Sequence, residues 1–146
     1  RIPRNRWIWL LQNFMSKFNS AKSALEHIKI LCNKSLRNEI CGFLGYCPKN
    51  NVFVVKEADN IADDPKSFFL IDPLEYLLFK EEYSLLAIYH SHLIGDEEPS
   101  DFDKNMSENC CLPFLIFSLN TQKIYIYEPQ NPDSDVNTLE RIKALV

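Results

Sequence analysis

This chain of 146 residues is long enough for one domain with a real hydrophobic core, because 46% of its residues are hydrophobic and 12% are aromatic. A second catalytic domain would not fit. The net charge of −4 and the dispersed basic residues argue against a nucleic-acid groove, which needs a clustered basic face. No run approaches the roughly 18 apolar residues of a membrane span.

The five cysteines are an odd number, and no two of them have the Cys-x-x-Cys spacing. This pattern indicates neither a disulfide scaffold nor a structural zinc knuckle nor a redox motif. We therefore expect reduced, mostly buried thiols in a reducing compartment such as the cytoplasm.

Residues 1–19 are predicted to form an amphipathic extension. A basic start precedes an apolar run at residues 7–11, which faintly resembles a signal peptide, but polar Gln12 and Asn13 end that run. We predict instead that this extension binds a partner protein or a second copy of the chain, or else packs on its own domain. The extension is predicted to be a short helix with one apolar side, formed by Trp7, Leu10, Leu11 and Phe14.

Residues 20–146 are predicted to form a single α+β domain. Apolar residues recur at helical spacing after Ser20, and Asp72-Pro73 is a typical helix start. In chain order the predicted elements are a helix from Ser20, strands at 39–46, 52–58 and 68–71, a helix at 72–83, a strand at 85–89, a helix from Ser100, strands at 114–119 and 123–127, and a short helix within 139–146. These elements predict a mixed sheet flanked by helices.

The strongest chemical signal is a histidine pair at the end of a predicted buried strand. His90 and His92 are two residues apart, so in an extended chain both imidazoles point to one face while Ser91 points to the other. Asp103 follows eleven residues after His92. Two neutral imidazoles and one carboxylate commonly hold a catalytic zinc ion, because three protein ligands leave one tetrahedral position open.

A less specific interpretation of the same residues is also available. The histidines are then polar residues at a strand end, and Ser100 with Asp103 forms a helix capping box, with Ser100 as the N-cap. The two interpretations are compatible. A helix that starts at Ser100 would fix Asp103 on its first turn, where the carboxylate could point across a loop at His90 and His92.

A second motif lies upstream, in the stretch Glu39-Ile-Cys-Gly-Phe-Leu-Gly45. Taken alone, Glu39 could be a solvated acid. The two motifs together resemble the JAMM (MPN-plus) family of zinc metallopeptidases, which combine His-x-His, seven residues, Ser, two residues and Asp with an upstream Glu-x-Cys-Gly-x-Leu-x-Gly. The three glycines of the chain, Gly42, Gly45 and Gly95, all lie within these motifs. Glycines so placed usually permit a close backbone approach or an unusual turn.

The resemblance covers roughly residues 20–128 and implies an MPN-type fold with a Zn²⁺ ion. It implies that His90, His92 and Asp103 bind the metal, which lowers the pKa of its bound water. Glu39 would act as base and then acid, and Ser100 would hydrogen-bond the oxyanion.

In this family the substrates are peptide or isopeptide bonds, often at the C-terminus of ubiquitin-like proteins. Leu93 departs from the family, which usually has Pro after the second histidine. The segments between the motifs are also too short for the insertions that grip ubiquitin chains. We therefore expect a ubiquitin-like or precursor substrate rather than a ubiquitin chain.

Residues 110–118 resemble the versions of this domain in phage tail-assembly proteins, although this signal is weaker than the metal motif. Three hypotheses follow: an active zinc peptidase or isopeptidase, a phage tail component, and a catalytically silent MPN scaffold. The expected location is the cytoplasm of a prokaryote or of an infected host cell, or a virion for the tail component. Silent relatives typically lose metal ligands, which disfavours the third hypothesis here.

Overall fold

The computed structural model describes residues 15–133 and 135–146. Six strands form one sheet in the order β1-β3-β2-β4-β5-β6, and every neighbouring pair is antiparallel except β4 and β5. The strands are β1 Met15–Phe18, β2 Cys41–Cys47, β3 Val52–Ala58, β4 Ser84–His92, β5 Phe114–Ser118 and β6 Ile124–Tyr127. The helices are α1 Ala21–Asn33, α2 Pro73–Glu82, α3 Asp101–Cys110 and α4 Val136–Lys143. This mixed sheet flanked by helices confirms the predicted α+β class.

The helix starts follow the predicted capping residues. Ser20 caps α1 by accepting a hydrogen bond from the backbone N–H of Ser23 at 3.1 Å. Asp72 caps α2 by accepting from Leu74 N–H at 2.9 Å, with Pro73 at the first helical position. These caps satisfy backbone donors that have no partner inside the helix.

The sheet separates two apolar clusters. On the α1 face, α1 and α4 cover side chains such as Leu44, Val55, Leu86 and Leu115. On the α2 face, α2 and α3 pack against a second cluster that includes Phe43, Phe79, Ile88 and Phe114. Because alternate residues of a strand face opposite sides, the residues two and four positions after Ile88, the two histidines, lie on the α2 face.

Two of the predicted close approaches occur at glycines of β2. A Cβ atom at Gly42 would clash with the carbonyl oxygen of Lys56 and the ring of Tyr89. A Cβ atom at Gly45 would lie 2.5 Å from the ring of Phe79, so α2 could not pack at its observed position. Both glycines therefore allow close packing beside the strand that carries the histidines.

The predicted strand at 68–71 is wrong. These residues belong to a loop between β3 and α2, which we call the 59–72 loop. The loop satisfies its own backbone groups, since Ile61 N–H donates to Leu70 C=O at 2.9 Å and Leu70 N–H donates to the side chain of Asn60 at 3.1 Å. These local partners replace the neighbouring strand that a β-strand would need.

The predicted helix over Trp7 to Phe14 lies outside the described residues. The residues that follow it, Met15–Phe18, form edge strand β1 and pair antiparallel with β3. Phe18 packs on the α1 face and Met15 on the α2 face, so this short strand contributes to both clusters. Within the described ranges, no helix has the length and hydropathy that a bilayer span requires.

Candidate metal centre

Strand β4 places both histidines on the α2 face, as their spacing predicts. His90 is fully buried, whereas the side chain of His92 keeps 14% of its surface accessible. His90 pairs with Cys41 of β2 on one side and with Ile116 of β5 on the other. The inner histidine is thus held in the middle of the sheet, and the outer one reaches solvent.

The first turn of α3 places Asp103 against the two histidines. Ser100 Oγ accepts a hydrogen bond from Asp103 N–H, and Asp103 Oδ2 accepts one from Ser100 N–H, both at 3.0 Å. This reciprocal pair is the predicted capping box. The cap is compatible with the ligand interpretation, because it fixes the carboxylate that faces His90 and His92.

The three side chains converge on one point. Nε2 of His90 lies 3.1 Å from Oδ1 of Asp103, and Nε2 of His92 lies 2.9 Å from Oδ2. One donor atom from each residue lies within 4.8 Å of the other two. Such a cluster of two imidazoles and one carboxylate can hold a metal ion with an open coordination position.

The hydrogen bonding of the histidines fits a metal better than a simple ion-pair network. Nδ1 of the buried His90 has no hydrogen-bond partner among the described groups, and Nε2 has only the 3.1 Å contact with Asp103. A metal ion at the cluster would give the buried Nε2 a further strong partner. Nδ1 of His92 lies 2.9 Å from the carbonyl oxygen of Asp96, an outer contact that orients Nε2 towards the cluster.

The electrostatics favour the ligand forms of His90 and Asp103. Burial lowers the pKa of His90, which keeps its imidazole neutral. Burial alone would raise the pKa of Asp103, but its contacts with the two histidines outweigh burial and hold that pKa well below its ordinary value. For His92, the contacts with Asp103 and the Asp96 carbonyl outweigh burial and raise the pKa. A neutral imidazole and an ionised carboxylate are the forms that bind metals.

Aromatic rings hold His90 in place. Phe69 of the 59–72 loop stacks on the imidazole with ring centroids 4.4 Å apart, and Phe114 meets it edge-on at 5.6 Å. This apolar shell limits solvent access to the inner ligand. The sequence indicated no role for Phe69, because its contact with His90 joins residues that are far apart in the chain.

Glu39 lies directly before β2, opposite the histidines. Continuing the antiparallel register of Cys41 with His90 places Glu39 beside His92. Ser91 fixes this alignment twice: its N–H donates to Ile40 C=O, and its Oγ accepts from Ile40 N–H, each at 2.9 Å. Ser91, whose side chain faces away from the metal site, thus joins the histidine motif to the Glu39 motif.

Glu39 is not a solvated acid. Only 7% of its surface is exposed. Burial, together with the negative charges of Asp103 and Asp64, raises its pKa to about 8, while His92 acts in the opposite direction. A carboxyl group in this state can take up and release a proton near neutral pH.

Ser100 is exposed at the edge of the same cluster. Its oxygen accepts the capping hydrogen bond from Asp103. A hydroxyl group that accepts one hydrogen bond still has a proton to donate, and Ser100 donates it to no other described residue. The structure therefore brings together all five residues that the sequence singled out.

An open apolar cavity of about 350 Å³ adjoins the centre on the α2 face. Phe69 and Phe114 contribute both to its wall and to the packing around His90. The cavity is also lined by residues of β2, the 59–72 loop, α2, β4 and α3: Phe43, Leu70, Ile71, Pro73, Tyr76, Ile88, Met106 and Cys110.

Comparisons with known proteins bear on the family and the fold. The family model of prokaryotic homologs of the JAB domain matches residues 21–130. No curated protein matches the chain. Among solved structures, the chain is similar to the solution structure of protein DSY2949 from Desulfitobacterium hafniense, with 27% identity, a TM-score of 0.59, and coverage of 78% of this chain and 86% of that one.

The match spans both motifs, the whole of β2 to β6 and the three helices α1 to α3. The predicted MPN-type fold and the predicted membership of the broader JAB/MPN family are thereby confirmed. The chain belongs to the prokaryotic homologs of the JAB domain.

Proposed function

We propose that this protein is a zinc-dependent peptidase or isopeptidase. The observation that carries the proposal is the convergence of His90, His92 and Asp103 on one point, where the buried Nε2 of His90 has only the Asp103 carboxylate as a partner. Glu39, a buried acid two residues before the neighbouring strand β2, lies beside them. A structural role alone would not require an acid of raised pKa next to three potential metal ligands.

His90, His92 and Asp103 would hold the ion, because they supply two imidazoles and a carboxylate around one open position. When bound, Zn²⁺ supplies a Lewis acid and lowers the pKa of a coordinated water towards neutrality. Nitrogen and oxygen donors in this number suit zinc, which is why we propose it in preference to calcium or magnesium.

Glu39 would move the proton. Its carboxylate takes one from the attacking water and then gives it to the nitrogen that leaves when the peptide or isopeptide bond breaks. The clamp between Ser91 and Ile40 keeps Glu39 beside His92 for both transfers. Ser100 would donate its free hydroxyl proton to the substrate carbonyl oxygen as negative charge develops there.

The proposed substrate is a protein or peptide, either a ubiquitin-like protein or a precursor. The tail-assembly alternative rests on residues 110–118 and on the aromatic N-terminal extension, of which Trp7 to Phe14 lie outside the described residues. In the structure Leu112 to Ser118 are all buried. Core packing alone accounts for apolar residues at these positions. The metal-site residues, which packing does not explain, therefore carry the proposal of a peptidase.

Substitution of Glu39 by Gln tests this proposal. The amide keeps the shape of the side chain but cannot accept a proton, so turnover should fall by about 100-fold or more while bound zinc is retained. Turnover can be measured with the zinc-loaded protein on a panel of quenched peptides and ubiquitin-like fusion proteins.

Glu26→Gln is the matched control, because Glu26 is an exposed acid on α1. It should leave turnover unchanged. Equal turnover in the Glu39→Gln and wild-type proteins would exclude Glu39 as the base. Absence of turnover in the zinc-loaded wild-type protein across the panel would count against the peptidase itself.

A further inference from the structure

Asn60 lies at the start of the 59–72 loop and uses its whole side-chain amide. Its Nδ2 donates to the carbonyl oxygens of Glu39 and Phe68 at 3.0 Å and of Pro65 at 3.4 Å. Its Oδ1 accepts from the N–H groups of Ala62 and Leu70, both at 3.1 Å. The partners of Nδ2 are all carbonyl oxygens and those of Oδ1 are both N–H groups, so only one orientation of the Asn60 amide fits.

One of these bonds reaches the proposed base directly. Asn60 binds the carbonyl oxygen of Glu39, and Glu39 N–H donates to Pro65 C=O at 2.7 Å. Both backbone groups of Glu39 therefore bind either Asn60 or the loop that Asn60 organises. Glu39 precedes β2 and lies outside its ladder, so these contacts replace the strand pairing that would otherwise fix it.

The same side chain also supports the inner histidine. Asn60 binds the backbone on both sides of Phe69, through Phe68 C=O and Leu70 N–H. Phe69 in turn stacks on His90. A single amide thus joins the residue that would move the proton to the ring that packs on a metal ligand.

We propose that Asn60 is a positioning residue that holds Glu39 in its reactive place relative to the metal ligands. This inference rests on the proposed peptidase function. The ligands also have anchors of their own, His90 and His92 in β4 and Asp103 in its capping box, and Asn60 reaches His90 only indirectly, through Phe69. Loss of the Asn60 contacts should therefore displace the base more than the metal.

Asn60→Asp is the sharpest test, because it keeps an oxygen for Ala62 and Leu70 but replaces the amide donor by an oxygen that faces three carbonyls. Asn60→Ala, which adds no charge, is the second variant should the first fail to fold. Asn33→Asp is the matched control, since Asn33 also makes two side-chain hydrogen bonds, with Gln122, in an exposed position away from the site.

Two readouts separate positioning from general stability. Amide hydrogen exchange by NMR should be at least about tenfold faster at Glu39, while Ile40, held by Ser91, changes much less. With zinc content unchanged, kcat should fall by about 10- to 100-fold while KM stays within about threefold. The control should change neither exchange at Glu39 nor kcat.

Unchanged exchange at Glu39 in both Asn60 variants would overturn the inference. So would normal kcat in these variants alongside an inactive Glu39→Gln protein, or a loss of zinc that accounts for the loss of turnover. If the wild-type protein shows no turnover, the proposed function fails, and the exchange measurement still decides whether Asn60 holds Glu39.

Discussion

The two faces of the sheet differ in the charged groups that they bury. The cluster on the α1 face is built from apolar side chains of α1, α4 and four strands. The α2 face carries ionisable groups that are buried: Glu39, Lys56, His90 and Asp103. Burying such groups is costly unless each finds a partner. The comparison indicates that one face mainly stabilises the domain, while the other combines apolar packing with chemically active groups.

The buried charge of Lys56, away from the proposed site, also lies on the α2 face. Lys56 of β3 reaches across the α2 face and forms a 2.8 Å ion pair with Glu75 of α2. The pair supplements the apolar packing of α2, in which the buried Phe79 contacts Phe43. A buried ion pair contributes little net stability, but loss of one partner is costly because it leaves the other charge unpaired.

The largest expected difference between the faces is in stability. Ile28 of α1 is fully buried, so Ile28→Ala should lower the free energy of unfolding by about 2–5 kcal/mol through lost burial and a residual cavity. Zinc content should stay unchanged, because the ligands lie on the other face. Urea unfolding and metal analysis check both parts.

Ile30 is the matched control, since it lies in the same helix but is 58% exposed. Ile30→Ala should change stability by no more than about 0.5 kcal/mol. Similar stability losses for Ile28→Ala and Ile30→Ala would break the assignment of the α1 face as the stabilising one.

A smaller effect concerns pH. Burial, with a lesser contribution from Glu57, raises the pKa of the Cys32 thiol on the α1 face from 9.0 to about 12. Above pH 9 the unfolded chain therefore loses this proton while the folded chain keeps it. Stability should fall as the pH rises from 9 towards 12, by about 1 kcal/mol at pH 10 from this thiol alone.

The Cys32→Ala protein isolates this contribution. Between pH 7 and pH 10 its unfolding free energy should fall by about 1 kcal/mol less than that of the wild type. A residual decrease is expected, because burial also raises the pKa of Cys41 and of Tyr89. Identical pH dependences in the two proteins would show that the Cys32 thiol does not stay neutral in the folded state.

The features that the sequence predicts correctly are those that depend on nearby residues. The spacing of His90 and His92 predicts their common face from strand geometry alone, and Ser100 with Asp103 predicts a helix start. Both predictions depend on neighbours within a few residues. The helices, the hairpin of β2 and β3, and the final pair of strands follow from the same short-range patterns.

Long-range partners account for the rest. The backbone position of Glu39 depends on Pro65, which binds its N–H, and on Ser91, which binds the adjacent Ile40. The role of Asn60 depends on groups from both sides of the loop. Nothing in the neighbouring residues signals these contacts. The predicted strand at 68–71 is wrong for the same reason. Its apolar residues favour a strand, but Asn60 binds its backbone into a loop.

Metal content tests the central claim most directly. Protein purified without added metal should contain one zinc ion per chain by mass spectrometry, and His92→Ala should contain none, because two remaining ligands are too few for a tight site. His27→Ala is the control: His27 lies in α1 beside Phe18, far from the cluster in the chain, and its loss should leave zinc unchanged. A full equivalent of zinc in the His92→Ala protein would contradict the account.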